Sequence, residues 1–224
     1  MLPVMYLPSQ FQGDRAQAAS LMHEQPFASL ISVDDTGLPY VTHLPLHLHL
    51  EEGSNDPLLP AKWVLLGHVG KGNPHWRYLQ ARPQAVVTFL GPHAYLSPKV
   101  YPDLVRVPTW NYLAVHCTVE ATLIEDSASK DRLLKKLIAD HEPPYAEQWR
   151  GQEESYAQKM LAGIVAFELR VTHLQCKLKL NQHRPEASSA MRAVYADGNE
   201  NEQTLGCWMD RLAHEDGTND LQER

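Results

Sequence analysis

FASLISVDDTGLPYVTHLPLHLHL, residues 27–50, decides how this chain is read. FASLISV is apolar and rich in strand formers, DDTG is turn chemistry, and LPYVTHLPLHLHL alternates. Two strand-like runs joined by so short a turn form a β-hairpin, and the fold is built outward from it. On the N-terminal side, residues 15–24 form a helix that Asp14 caps and Pro26 stops. On the C-terminal side, residues 51–60 are a loop, followed by strands at KWVLLGHV and at AVVTFLG, where Gly91 and Pro92 end the run. Between those strands, NPHWRYLQ is a short helix with Pro74 in its first turn and Asn73 as its cap.

Further along, residues 92–109 hold Pro92, Pro98, Pro102 and Pro108 without a period and read as a long ordered loop. WNYLAVHCTVEATLI and AGIVAFELRVTHLQCKL are long strands. Between them, SASKDRLLKKLIADHE sets Leu133, Leu134, Leu137 and Ile138 at helical spacing, with Ser127 or Ser129 as cap and Pro143-Pro144 as stop. EESYAQKML is a helix, RPEASSAMRAVY is one opened by Pro185, and TLGCWMDRLAH is a short terminal helix weakened by Gly206. Leu205, Trp208, Met209 and Leu212 share one face of the last. Strands follow one another with few βαβ crossovers. The predicted class is therefore mainly β with peripheral helices (α+β), an antiparallel sheet closed into a barrel. Residues 1–195 form one domain with inserted helices, and residues 196–224 an acidic C-terminal helix and tail.

Composition narrows the function classes. Of 224 residues, 43% are hydrophobic and 21% charged, a globular balance. No run approaches the ~18 apolar residues a membrane helix needs. The first residues, MLPVMYLPSQF, lack the basic and apolar regions of a signal peptide, so a cytoplasmic protein is expected. Cys117, Cys176 and Cys207 are odd in number and widely spaced, so reduced thiols are expected rather than a disulfide framework or a CxxC site. Net charge is −7, and residues 196–224 carry −6 of it. No basic stripe suited to duplex DNA is present.

Four stretches carry candidate chemistry. In THLPLHLHL, residues 42–50, strand alternation puts Leu44, Leu46, Leu48 and Leu50 on a core face and His43, His47 and His49 on the other. An H-x-H pair can bind zinc, but nothing fixes a third ligand, so no metal site is assigned. His43 beside Thr42 is the better candidate for lining a ligand pocket. In GHVGKGNPHW, residues 67–76, glycines permit φ > 0 and close backbone approach, Lys71 brings charge, and the helix start brings N–H groups. These are the parts of a phosphate cradle, and equally of a glycine-rich turn with a solvated lysine. Trp110 and Asn111 leave the Pro-rich loop and could stack on and hydrogen-bond a planar ring, although aromatic packing in the core explains them too. Lys179, Gln182 and Arg184 crowd a strand end before a helix, or form a solvated connection. No catalytic nucleophile or triad stands out.

As a set, MYLPSQF, HLPL, GHVGKGNPHW, FLGPHAYLSP, VPTWNYLAVH and KLNQHRP resemble, in this order, the PaiB family, FMN-binding-type proteins described as negative transcriptional regulators. The resemblance runs from about Met5 to about residue 195. It implies an FMN-binding split β-barrel of the pyridoxamine-phosphate-oxidase type, working as a homodimer with flavin sites at the subunit interface. Carried over residue by residue, FMN phosphate would meet Thr42, His43, His68, Lys71 and Asn73. The partner subunit would offer Trp110 and Asn111, with Lys179, Gln182 and Arg184. The chain departs from the family pattern at Gly70-Lys71-Gly72, where Ala-Arg-Ala is usual, at SPKVY for SPSWY, and at KLNQH for KLSQN. Lysine keeps the charge but loses the guanidinium fork.

The resemblance thus implies a ligand-binding regulator. Two rival classes share such a fold: a flavin-dependent oxidoreductase, and a haem-binding or haem-degrading protein, for which His214 is the one histidine in the tail.

Overall fold

The computed structural model describes residues 5–51, 62–103 and 106–222, and the side chains among them other than those of residues 51, 146, 150 and 214–222. The loop expected from residue 52 onward and the His214 imidazole lie outside the described residues. Among the described residues, eight strands form one sheet: β1 (Gln12–Gly13), β2 (Phe27–Val33), β3 (Pro39–Pro45), β4 (His47–Glu51), β5 (Lys62–Gly70), β6 (Gln84–Leu96), β7 (Thr109–Ile124) and β8 (Ile164–Lys179). The order is β3-β2-β6-β7-β8-β5-β4, with β1 beside β8, and the recorded ladders are antiparallel. Seven helices accompany them: α1 (Arg15–Glu24), α2 (His75–Ala81), α3 (Ser127–His141), α4 (Tyr145–Arg150), α5 (Glu154–Ala162), α6 (Ser188–Ala196) and α7 (Glu200–Gln222). The class is α+β, as expected.

The chain divides into two compact units. One comprises Met22–Phe89 and His116–Leu174, the other Met1–Leu21, Leu90–Val115 and Gln175–Arg224. In the first, the DDTG turn closes the hairpin as read: Asp34 N–H donates to Leu38 O at 2.9 Å, and Gly37 takes φ 86°. β2 and β3 pair from Phe27↔Pro45 to Val33↔Pro39. The second hairpin strand is not continuous, however. It breaks at Leu46, whose N–H donates to Pro26 O at 2.9 Å, and β4 then leaves β2 to pair with β5. The break shifts the alternation. Leu44 and Leu46 are core, but His47 is buried and Leu50 is half exposed. α3 covers this part of the sheet, with Leu133 and Leu137 packed on Val64, Leu66 and Ala166. Its cap is Asp126, whose Oδ1 accepts from Ser129 N–H at 2.8 Å, rather than Ser127 or Ser129. A carboxylate one position earlier reaches the first free N–H groups.

In the second unit, Asp14 does cap α1, and reciprocally: Gln17 N–H donates to Asp14 Oδ1 at 2.8 Å, and Asp14 N–H to Gln17 Oε1 at 3.0 Å. β6 runs on through Gly91-Pro92 to Leu96, past the expected stop. β2 pairs with β6 at Val86–Thr88, so the N–H that Pro92 lacks is not needed by that ladder. The C-terminal helix is longer than expected at 23 residues, and its apolar face is the one read from sequence: Leu205, Trp208 and Met209 are buried. Gly206 brings it close to α6, where an added Cβ would lie 3.8 Å from Tyr195 Cβ.

Candidate functional site

The loop from β5 to α2 is held from both ends. Lys71 N–H donates to Gly163 O at 2.8 Å, Asn73 N–H to Gly70 O at 2.9 Å, and Trp76 Nε1 to Lys71 O at 3.1 Å. These bonds fix the backbone and leave the Lys71 side chain outside. It is exposed and has no carboxylate within ion-pair reach among the described residues. Neither Gly70 nor Gly72 uses a positive φ, contrary to the expectation, and a Cβ at either would meet nothing within 4 Å. What the glycines provide is open space beside a lysine, not a special turn. The alanines of the family pattern fit the same backbone.

Beneath the loop lies a side-chain network. Asn73 Nδ2 donates to Thr42 Oγ1 at 3.2 Å, while its Oδ1 accepts the His75 N–H at 3.0 Å. The N-cap position of α2 falls on Pro74 rather than on Asn73, but Asn73 accepts the first N–H of the helix and reaches β3 at once. His75, which sequence reasoning passed over, sits at the centre. It is fully buried, with Nδ1 2.7 Å from Thr42 Oγ1 and Nε2 2.9 Å from Ser32 Oγ. The Tyr40 ring packs edge-on against it at 5.1 Å. Burial pushes the imidazole pKa down to about 4, so it is neutral at ordinary pH. The signal that would have found it is its spacing. His75 follows Asn73 by two residues in GNPH, and the bond from its N–H to Asn73 Oδ1 fixes the turn that carries its side chain inward.

Not every expected residue joins this group. His43 alternates with Thr42 and faces the other way, with Nδ1 3.0 Å from Ser29 Oγ. His68 is partly buried on β5, and its pKa is lowered by burial first and by the nearby His47 second. The stripe of three histidines is split by the break at Leu46. His47 and His49 meet α3 instead, through Asp140 at 2.8 Å and Lys136 at 2.7 Å. No three-residue metal cluster occurs among the described residues.

The remaining candidates lie in the second unit. Trp110 is 53% exposed, with the His93 and Tyr95 rings each 6.2 Å away, an open aromatic surface. Lys179 Nζ donates to Thr109 Oγ1 at 2.5 Å and to Trp110 O at 2.6 Å, which ties it to the same strand end. Its pKa is lowered by burial and then by Lys177. Asn111 is fully buried, and its amide donates to Tyr195 Oη at 2.9 Å and contacts Met191 Sδ at 3.1 Å. Gln182 is spent on its own turn, accepting Leu180 N–H at 2.9 Å and donating to Leu178 O at 2.6 Å. Arg184 lines a cavity of about 160 Å³ with Asn181, Ser188, Met191 and Arg192.

The chain is similar to known proteins in sequence and in fold. Residues 5–173 match the family described as "Putative FMN-binding domain". The chain is 32% identical over 186 residues to protease synthase and sporulation protein PAI 2 of Bacillus subtilis, covering 81% of this chain and 84% of that protein. Two solved structures share the fold. The FAD and heme binding protein from Mycobacterium smegmatis is 20% identical, with a TM-score of 0.55 over 74% of this chain and 71% of that one. The flavocytochrome Anf3 from Azotobacter vinelandii is 18% identical, with a TM-score of 0.54 over 74% and 67%. The fold expected from the motifs, a split β-barrel of the flavin-binding kind, is therefore the fold of this chain, and the chain belongs to the FMN-binding family of PaiB type.

Proposed function

We propose that this protein binds FMN as a PaiB-type homodimer and that GHVGKGNPHW holds the phosphate. The observation that carries the reading is an exposed Lys71, without a carboxylate in ion-pair reach among the described residues, on a loop pinned through its backbone, with open space at Gly70 and Gly72 and beside the Asn73–Thr42 network. A fixed backbone with an exposed cation and short polar donors suits a dianion whose ring end lies elsewhere. Thr42, Lys71 and Asn73 form the phosphate set. The ring is met by a second copy of the chain, through the half-exposed Trp110 with Lys179 and Arg184. Asn111 and Gln182 are committed to their own unit and are left out of the set. A bound flavin would supply electron or hydride transfer. A regulatory role is proposed from the likeness to PAI 2 and works through the ligand, since the chain lacks a basic stripe for duplex DNA.

Titration with FMN, followed by flavin fluorescence, tests the reading against riboflavin, which lacks the phosphate. FMN binds the more tightly, and Lys71→Ala weakens FMN by roughly 1.5–3 kcal/mol while leaving riboflavin unchanged. Equal binding of the two flavins would sink the phosphate assignment. Sedimentation at the same concentrations reports the dimer.

A further inference from the structure

One proton in the Thr42–Asn73–His75 network decides whether Thr42 can donate to an anion. Asn73 is oriented without ambiguity. A backbone N–H can only donate, so the amide atom 3.0 Å from His75 N is Oδ1, and Nδ2 faces Thr42 Oγ1 at 3.2 Å. The Thr42 oxygen therefore accepts from Asn73. Its second neighbour is His75 Nδ1 at 2.7 Å, and on the far side of the ring Nε2 lies 2.9 Å from Ser32 Oγ. A neutral imidazole carries one proton, so two arrangements exist.

With the proton on Nε2, His75 donates to Ser32, and the Thr42 hydroxyl proton is used on Nδ1. The Ser32 hydroxyl proton is then left over. Ser32 is 4% exposed, and His75 is its side-chain partner among the described residues, so that proton is stranded in the interior. With the proton on Nδ1, Ser32 donates to Nε2, and Nδ1–H donates to Thr42. The proton left over belongs to Thr42, which is only partly buried. An unpaired donor is costly in the core and harmless where water or a ligand reaches it, so the second arrangement is preferred. The Tyr40 ring against the imidazole shields it and holds the plane.

We infer that His75 is a positioning residue: as the Nδ1–H tautomer it makes the Thr42 oxygen a double acceptor, and so turns the Thr42 hydroxyl proton outward as a donor to the phosphate of the ligand. The role toward phosphate rests on the reading of the loop as a phosphate cradle, but the tautomer does not. The low pKa, about 4, keeps the ring neutral, so the arrangement holds across the physiological range.

Two measurements test it separately. In the flavin-free protein at pH 7, ¹⁵N spectra of the His75 ring show a protonated Nδ1 and an unprotonated Nε2; a protonated Nε2 would overturn the tautomer and with it the role. The ratio of riboflavin to FMN dissociation constants then reads the phosphate contact alone. Thr42→Val lowers that ratio by about tenfold, the size of one hydrogen bond to a charged group. His75→Phe lowers it similarly, the double variant goes no lower than Thr42→Val, and His75→Asn, which returns an N–H near Nδ1, recovers part of it. A ratio unchanged in His75→Phe but lost in Thr42→Val would overturn the role of His75. A wild-type ratio of one would instead overturn the phosphate reading, with the ¹⁵N result standing on its own.

Discussion

His47 Nδ1 lies 2.8 Å from Asp140 Oδ2, and two residues along the same strand His49 Nδ1 lies 2.7 Å from Lys136 Nζ. Strand spacing of two meets helix spacing of four, so β4 and α3 are stitched by one acid and one base. Both imidazoles of the H-x-H pair are thereby used to dock a helix. Burial lowers the His47 pKa, and Asp140 offsets part of that, so His47 donates from Nδ1 as a neutral ring. Asp140→Ala leaves a buried donor unpaired and costs about 1–3 kcal/mol. Lys136→Ala, at a partly exposed site, costs under about 1 kcal/mol. Urea unfolding of the two variants checks the difference, and equal costs would count against the pairing.

Stability falls on acidification through His75. Its unfolded value is the ordinary one near 6.5, and its folded value is about 4. Between those values the unfolded chain binds the extra proton, so stability is full above about pH 6.5 and declines as pH falls toward 4. The size is about 3 kcal/mol. Denaturant curves at pH 7, 5.5 and 4 measure it, and His75→Phe flattens the decline. A wild-type curve flat across that range would refute the buried neutral ring.

Glycines in this chain separate into two kinds. Gly70→Ala and Gly72→Ala place a Cβ in open space at ordinary φ, and each is neutral or stabilises by up to about 1 kcal/mol through the unfolded state. Gly91→Ala sets a Cβ 2.6 Å from Leu21 Cδ1 and 3.3 Å from the Leu113 carbonyl oxygen, and costs about 1–3 kcal/mol. Thermal unfolding of the three variants ranks them. A costly Gly70→Ala would mean the loop is tighter than described.

Tyr195→Phe tests where Asn111 belongs. The Tyr195 hydroxyl is buried beside the Asn111 amide, and burial pushes its pKa up to about 12. Removing it costs about 1–3 kcal/mol of stability and leaves FMN affinity unchanged. Loss of flavin binding without loss of stability would return Asn111 to the ligand.

The hairpin at Phe27–Pro45, the long strands β7 and β8, the Asp14 cap and the apolar face of α7 were all legible in the chain, because each depends on periodicity or on contacts a few residues apart. So was the candidate loop, since a lysine, glycines and an asparagine between a strand and a helix are local features, although the cap position itself falls on Pro74. The break at Leu46 was not legible. The alternation of THLPLHLHL is unbroken in sequence, and only the Pro26 carbonyl, twenty residues earlier, takes the Leu46 N–H and releases β4 to β5. The length of β6 was hidden for the same reason, because whether a proline stops a strand depends on which neighbour needs its N–H. His75 was legible only through its spacing from Asn73, because its partners Ser32 and Thr42 lie on strands distant in sequence. Sequence alone marked GHVGKGNPHW as a place where a lysine follows a strand and precedes a helix. Tertiary structure alone decided that a buried imidazole, bonded to Ser32 and Thr42 from two strands, sets the direction of the hydroxyl beside it.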